Sequence, residues 1–183
     1  YSGNGDKNEG SLFSKLNWQL SQKWQIYADL QQRWISYRTS GIISDGSALN
    51  VRQQYDFFNP KFGATYRLNQ VDSFYASFGR SHREPRRSDF EQGVFTPERL
   101  DDIELGWRRT DRNINLSATA YYMNYKNQLV LTGAIDDVGA PIRGTSGDSY
   151  RMGLEVEALW QIDHRWSWQV SLALSENKNR DYV

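Results

Sequence analysis

Residues 151–175, RMGLEVEALWQIDHRWSWQVSLALS, decide how the chain is read. Every second residue from Met152 is apolar: Met152, Leu154, Val156, Ala158, Trp160 and Ile162, with Gly153, Glu155, Glu157, Leu159 and Gln161 between them. Period two is the spacing of a strand with one apolar face. After Asp163, His164 and Arg165 the alternation resumes as Trp166, Trp168, Val170, Leu172 and Leu174 against Ser167, Gln169, Ser171 and Ser175. Two strands joined by a tight turn are predicted. Trp160, Trp166 and Trp168 crowd that turn, whereas the middle of the apolar face is aliphatic or small. This is the banding of a membrane strand. At about 3.3 Å per residue and a tilt of about 40°, Met152 to Ile162 rises roughly 28 Å, close to the apolar band of an outer-membrane barrel, about 25 Å tall.

The same pattern recurs along the chain. Leu12, Leu16, Trp18 and Leu20 alternate with polar neighbours, then Trp24, Ile26, Ala28, Leu30 and Trp34, with Trp18 and Trp24 flanking a turn at 21–23. Phe58, Pro60, Phe62, Ala64, Tyr66 and Leu68 share a face, with Pro60 read as close to a strand start. Phe74, Ala76 and Phe78 follow the turn at 69–72, and Ile103, Leu105 and Trp107 pair across 110–113 with Ile114, Leu116, Ala118, Ala120 and Tyr122. Between the hairpins lie polar stretches near 38–54, 80–100 and 131–149, read as long loops, with a polar lead at 1–10 and a polar tail at 176–183. Short and long connections alternate, which in a meander puts all short turns at one rim and all long loops at the other. Helix signals are absent. Propeller blades would need four strands per repeat, and only two are found. The fold expected is all-β: an antiparallel up-and-down meander of about eight strands, a segment of a larger transmembrane β-barrel, with residues 1–183 as one partial barrel domain.

Composition agrees. The 183 residues carry 22 Lys+Arg against 22 Asp+Glu, so no net charge points to nucleic acid. Aromatic content of 14% accompanies a mean hydropathy of -0.76, and no run approaches the roughly 20 apolar residues of a spanning helix. A membrane barrel escapes that test because only one face of each strand is greasy. With no cysteine there is neither a disulfide nor a thiolate metal site. Tyr1 opens no signal peptide.

Little in the sequence suggests catalysis. Glu155, Glu157, Lys61, Arg67 and Arg108 are expected on a hydrated inner face, and His164 in a solvated turn. Asp136 and Asp137, or Asp101 and Asp102, are acidic pairs of the kind usually solvated in loops, and no metal site or cofactor is expected. The basic cluster Arg80, His82, Arg83, Arg86 and Arg87 stands out, because arginines grip carboxylate or phosphate oxygens. Its bland alternative is solvated charge or pairing with Asp89, Glu91, Glu98, Asp101 and Asp102. Trp18, Trp24, Tyr66, Phe74, Trp107, Trp160, Trp166 and Trp168 are the expected membrane-interface aromatics, beside the short turns.

The runs Asn59-Pro60-Lys61-Phe62-Gly63-Ala64-Thr65-Tyr66-Arg67-Leu68, Phe74-Tyr75-Ala76-Ser77-Phe78-Gly79 and Arg83-Glu84-Pro85 resemble a strand pair in the C-terminal half of TonB-dependent outer-membrane receptors. Pro97-Glu98 with Glu104-Leu105-Gly106, and Arg151-Met152-Gly153-Leu154-Glu155, resemble further motifs of that family. The resemblance implies a 22-stranded barrel with an N-terminal plug, importing an iron chelate, haem, cobalamin or glycan with energy from an inner-membrane coupling protein. Departures are the absence of plug motifs, Ser81-His82-Arg83-Glu84-Pro85 where the family has Gly-Phe-Arg-x-Pro, and an end at Tyr182-Val183 without a closing aromatic strand. The expected partners are outer-membrane lipid, the rest of the barrel, the plug, and the coupling protein acting through it, with the transported ligand unspecified and no nucleic acid. Residues 41–51, 80–96 and 133–149 are expected at the cell surface. The alternative is a complete eight-stranded outer-membrane barrel with an adhesion or structural role; a soluble lipid-binding barrel is a third possibility, opposed by the aromatic banding.

Overall fold

A computed structural model describes residues 2–43, 46–135, 139, 141–145 and 147–180. Eight long strands form one antiparallel sheet: β1 (Ser2–Gln19), β2 (Trp24–Ile42), β3 (Ala48–Arg67), β4 (Asp72–Arg83), β5 (Glu98–Thr110), β6 (Ile114–Lys126), β9 (Ser149–Gln161) and β10 (Ser167–Asn179). A short helix, α1 (Arg87–Glu91), lies between β4 and β5, and a separate hairpin of β7 (Leu129–Ile135) and β8 (Pro141–Thr145) lies between β6 and β9. Each sheet strand pairs with the next one along the chain. Among the described residues the sheet is open, since β1 pairs only with β2 and β10 only with β9.

Three of the four short turns are closed by the side chains their sequences supply. Asn69 Oδ1 accepts from the N–H groups of Val71 at 2.8 Å and Asp72 at 2.7 Å, and Asp163 Oδ1 from those of Arg165 at 2.7 Å and Trp166 at 2.9 Å. Ser21 Oγ does the same for Lys23 and Trp24, and Asp111 Oδ1 accepts from the Arg112 N–H. The first three are Asx and Ser/Thr turns, and the fourth is closed by the Asp111 N–H donating to the Ile114 carbonyl at 2.8 Å; together they fix the register of each hairpin at one rim.

Several expectations are corrected. The polar lead is strand from Ser2, and the stretch expected as a loop over 38–54 is mostly the extended ends of β2 and β3. The polar tail is strand as far as Asn179, and residues 181–183 lie outside the described residues. The 80–100 region contains the end of β4, the helix α1, contrary to the expected lack of helix, and the start of β5. Pro60 sits within β3 opposite Leu30, just past Lys61↔Gly79, where the β3–β4 ladder ends. Its missing N–H is tolerated there because that side of the strand has no partner.

The reason that 38–54 looks like a loop is an inversion of polarity. Up to Trp34 (48% exposed) and Phe58 (50%), the apolar residues of β2 and β3 lie on the outer, exposed face. Above that level the apolar residues, apart from the register partners Ile42 and Ala48 exposed at the tip of the pair, occupy the opposite face: Ile35 (2%), Leu49, Val51, Tyr55 and Phe57 (4%) are buried, and Arg38, Ser40, Asn50 and Arg52 are exposed outside. Since Arg33↔Phe57 and Ile35↔Tyr55 are register partners, the switch occurs at one level on both strands. What covers the inverted face is α1, whose Phe90 (2%) joins the core and packs against Tyr37 at 5.1 Å between ring centroids.

On the inner face, three tyrosines each lie flat over a glycine on the neighbouring strand: Tyr27 over Gly63, Tyr75 over Gly106 and Tyr121 over Gly153. A Cβ at Gly63 or Gly106 would run into the ring. Arg108 stacks on Tyr75 at 4.4 Å, whose hydroxyl lies 2.9 Å from Thr119 Oγ1, so this inner charge is held against the wall.

Candidate functional site

The long-loop rim gathers the chain's chemistry. After Gly79 strand β4 leaves β3, and His82 turns to Asn59, with Nδ1 2.8 Å from Oδ1, while its ring stacks on Phe57 at 5.1 Å. Glu84, two residues on, meets Lys7 Nζ at 2.5 Å and Arg33 Nη2 at 3.5 Å. Glu9 accepts from Arg33 Nε at 2.8 Å and lies 3.3 Å from Lys7. This four-charge network clamps the start of the β4–β5 loop to β1 and β2. Burial pulls the Glu84 carboxyl upward, but the hydrogen bond and charge of Lys7, with Arg33, outweigh it and hold it below the usual carboxylate range. Tyr55, buried beneath the loop and donating to the Phe95 carbonyl at 2.9 Å, is pushed up to about 12 by burial and then by the Glu84 charge.

Four members of the predicted basic cluster reach partners. Arg80 grips Asp101 with Nε at 2.5 Å and Nη2 at 3.2 Å, Arg83 reaches Glu98 at 3.1 Å, and Arg87 pairs with Glu91 at 2.8 Å and donates to Thr39 Oγ1 at 3.1 Å. His82 is held by Asn59. Arg86, at the start of α1, is exposed, and its side chain makes no ion pair among the described residues. The cluster is thus a scaffold for the loop more than a row of free cations. Glu98 also accepts the Leu129 N–H at 2.9 Å, which ties the β4–β5 connection to the base of the β7–β8 hairpin. Asp101 is used by Arg80 and Arg99, Asp136 and Asp137 fall outside the described residues, and among the described residues no group of three metal-ligating side chains occurs.

At the other rim the expected aromatics form rows. Trp24, Tyr66, Phe74 and Trp107 are consecutive register partners across β2 to β5, with Trp24 and Tyr66 in contact at 4.9 Å. Trp160 pairs with Trp168, Trp18 lies on β1, and Trp166 stands in the last turn. His164 is exposed there, accepting from Arg165 Nε at 3.0 Å. The sequence reading missed Lys7, Glu9, Arg33 and Glu84 as a unit, because nothing local signals that residues 77 positions apart meet.

The family model described as "TonB dependent receptor-like, beta-barrel" matches residues 1–182. The Pesticin receptor of Yersinia enterocolitica is 29% identical over 172 residues, covering 88% of this chain, and the chain spans 25% of that receptor's length. Among solved structures, Copper transporter OprC superposes with a TM-score of 0.83 at 17% identity, over 97% of this chain and 30% of that one. The ferric yersiniabactin uptake receptor FyuA from Yersinia pestis gives 0.73 at 20% identity, over 99% and 29%, and the ferric citrate transporter FecA 0.72 at 17%, over 97% and 27%. At these identities the structural likeness establishes the fold, and the proteins matched are receptors and transporters of the bacterial outer membrane. The chain belongs to the TonB-dependent receptor-like β-barrel family.

Proposed function

We propose that residues 1–183 form part of the wall and mouth of an outer-membrane receptor that imports a scarce nutrient, an iron chelate being the best-supported cargo. The observation that carries this reading is the inversion at Trp34 and Phe58: a lipid-facing wall below continues into a rigid, inward-packed blade above, roofed by α1. Such a blade projects a fixed surface beyond the membrane, as ligand capture needs. Two of the structural neighbours, a ferric yersiniabactin uptake receptor and a ferric citrate transporter, favour iron chelates over haem, cobalamin or glycan. Trp18, Trp24, Tyr66, Phe74, Trp107, Trp160, Trp166 and Trp168 serve as the periplasmic girdle. The flat tyrosines over glycines leave an inner wall smooth enough to seat a plug domain, through which the inner-membrane coupling protein would act. Arg86 is the cluster's cation best placed to meet an anionic cargo. Binding and transport, and not catalysis, are the work of this wall.

The test is made on the full-length protein in intact cells. Single cysteines placed at Gly46, Gly93 or Gly139 are expected to label with an impermeant reagent from outside, and cysteines at Lys23, Gln70 or Arg112 only after the outer membrane is opened. Removing residues 86–96 is expected to abolish uptake of ferric chelates while the barrel stays folded. Labelling confined to the short turns would overturn the orientation, and unchanged uptake would overturn the role of the mouth.

A further inference from the structure

The outer face of β1–β3 above Trp34 takes no part in the upper core or in the Lys7–Glu84 clamp. There the exposed side of β2 and β3 changes from apolar to polar, and two adjoining grooves run up it. The lower one has the Trp34 indole as one wall and Ser36, Gln54 and Asp56 around it, with the Asp56 carboxylate held by Gln32. The upper one is lined by Asp6, Arg38 and Arg52. Arg38 and Arg52 are direct register partners, so two like charges oppose each other across the ladder, an arrangement that is unfavourable in isolation. Both are exposed, and neither has an ion-pair, hydrogen-bond or ring partner among the described residues. Asp6 is the register partner of Arg38 but forms no ion pair with it.

Height identifies the occupant. Arg38 lies four residues beyond Trp34, about 10 Å higher at about 3.3 Å per residue and a tilt of about 40°. The polar layer on each side of a bilayer is roughly 5–8 Å thick, and a long arginine side chain can bend down into it. Below the grooves, Leu12, Leu30 and Phe58 present an exposed apolar surface suited to acyl chains. An aromatic plane flanked by amide, hydroxyl and carboxylate groups suits a sugar ring, and a pair of guanidinium groups suits a phosphate. We infer that this outer face of the blade is a binding site for the phosphorylated saccharide headgroup of an outer-leaflet glycolipid, with Arg38 and Arg52 clasping the phosphate and Trp34 lying against the sugar. The bound anion relieves the repulsion between the two arginines, so the site is built to be filled. It rests on the reading of the chain as an outer-membrane wall, and it is separate from cargo binding, which belongs to the inner side of the mouth.

The full-length protein is reconstituted in phosphatidylcholine discs with or without bisphosphorylated lipid A, and bound lipid A is counted by native mass spectrometry. The double variant Arg38→Gln/Arg52→Gln is expected to bind lipid A at least about tenfold more weakly than the parent, Trp34→Ala to lose part of the binding, and Arg112→Gln, at the opposite rim, to match the parent. A lipid A with its phosphates removed should bind weakly to parent and double variant alike. Equal retention of lipid A by parent and double variant overturns the inference. So does displacement of lipid A by soluble glucosamine 1-phosphate at equal concentration, which would assign the site to a free sugar phosphate. Heat-modifiable migration of the same samples reports separately on the barrel: a protein that folds in the discs but is indifferent to Arg38→Gln/Arg52→Gln refutes only the headgroup site, whereas one that does not fold there refutes the membrane reading itself.

Discussion

The lower and upper halves of the β2–β3 pair use the same backbone and the same register but opposite faces. From Trp24 to Trp34 the outward residues are Ile26, Ala28 and Leu30, and the inward ones include Tyr27, Asp29 and Arg33; from Ile35 upward, Ile35, Tyr37 and Thr39 face inward and Ser36, Arg38 and Ser40 outward. A strand does not choose which face is apolar; its surroundings do. Hydrocarbon covers the lower outer face, and the β4–β5 loop covers the upper inner face with Phe90. The shift in phase at Trp34 is therefore where one solvent for apolar side chains ends and another begins.

That contrast can be broken at either end. The largest effect is expected from Phe90→Ala, which empties the centre of the upper core and should cost about 3–5 kcal/mol locally, read as faster amide exchange over residues 35–57 with the lower strands unchanged. Leu30→Arg, on the outer face midway between Trp24 and Trp34, should destabilise the full-length barrel by about 2–4 kcal/mol in urea unfolding from bilayers. Ser40→Arg, on the same face above the switch, should cost close to nothing. Equal costs at the two positions would refute the boundary at Trp34.

Smaller effects sharpen the inner wall and the clamp. Gly106→Ala places a Cβ against the Tyr75 ring and should cost roughly 1–3 kcal/mol, recovered in part by Tyr75→Ser in a double-mutant cycle. For Glu84 the sign follows from its depressed pKa: the contribution of the Lys7–Glu84–Arg33 clamp is present above the ordinary glutamate value, about pH 4.3, and is lost as pH falls through the lower folded-state value. Glu84→Gln should remove about 1 kcal/mol at neutral pH and abolish the acid-dependent rise in proteolysis of residues 84–97. A loop whose protease sensitivity at neutral pH is the same in both proteins would show that the clamp is idle.

What could be read from the chain follows the range of each signal. Period two is local, so the hairpins at 12–34, 58–78, 103–122 and 152–174, their turns and the aromatic rows beside them were legible. The Asx and Ser/Thr chemistry at Ser21, Asn69 and Asp163 is local as well. The basic cluster was visible as charge, but its pairing with Asp101, Glu98 and Glu91, and the meeting of Glu84 with Lys7, depend on which strands the sheet sets side by side.

The sequence by itself determined the strand faces within the membrane band, the short-turn rim and the family, because alternation and short motifs do not need distant contacts. Only the tertiary structure decided that β2 and β3 continue above the band with their apolar side reversed, that a helical turn roofs them, and that glycines seat tyrosines across the inner wall. Each of these depends on what lies over a face, and a face is covered by residues far away along the chain.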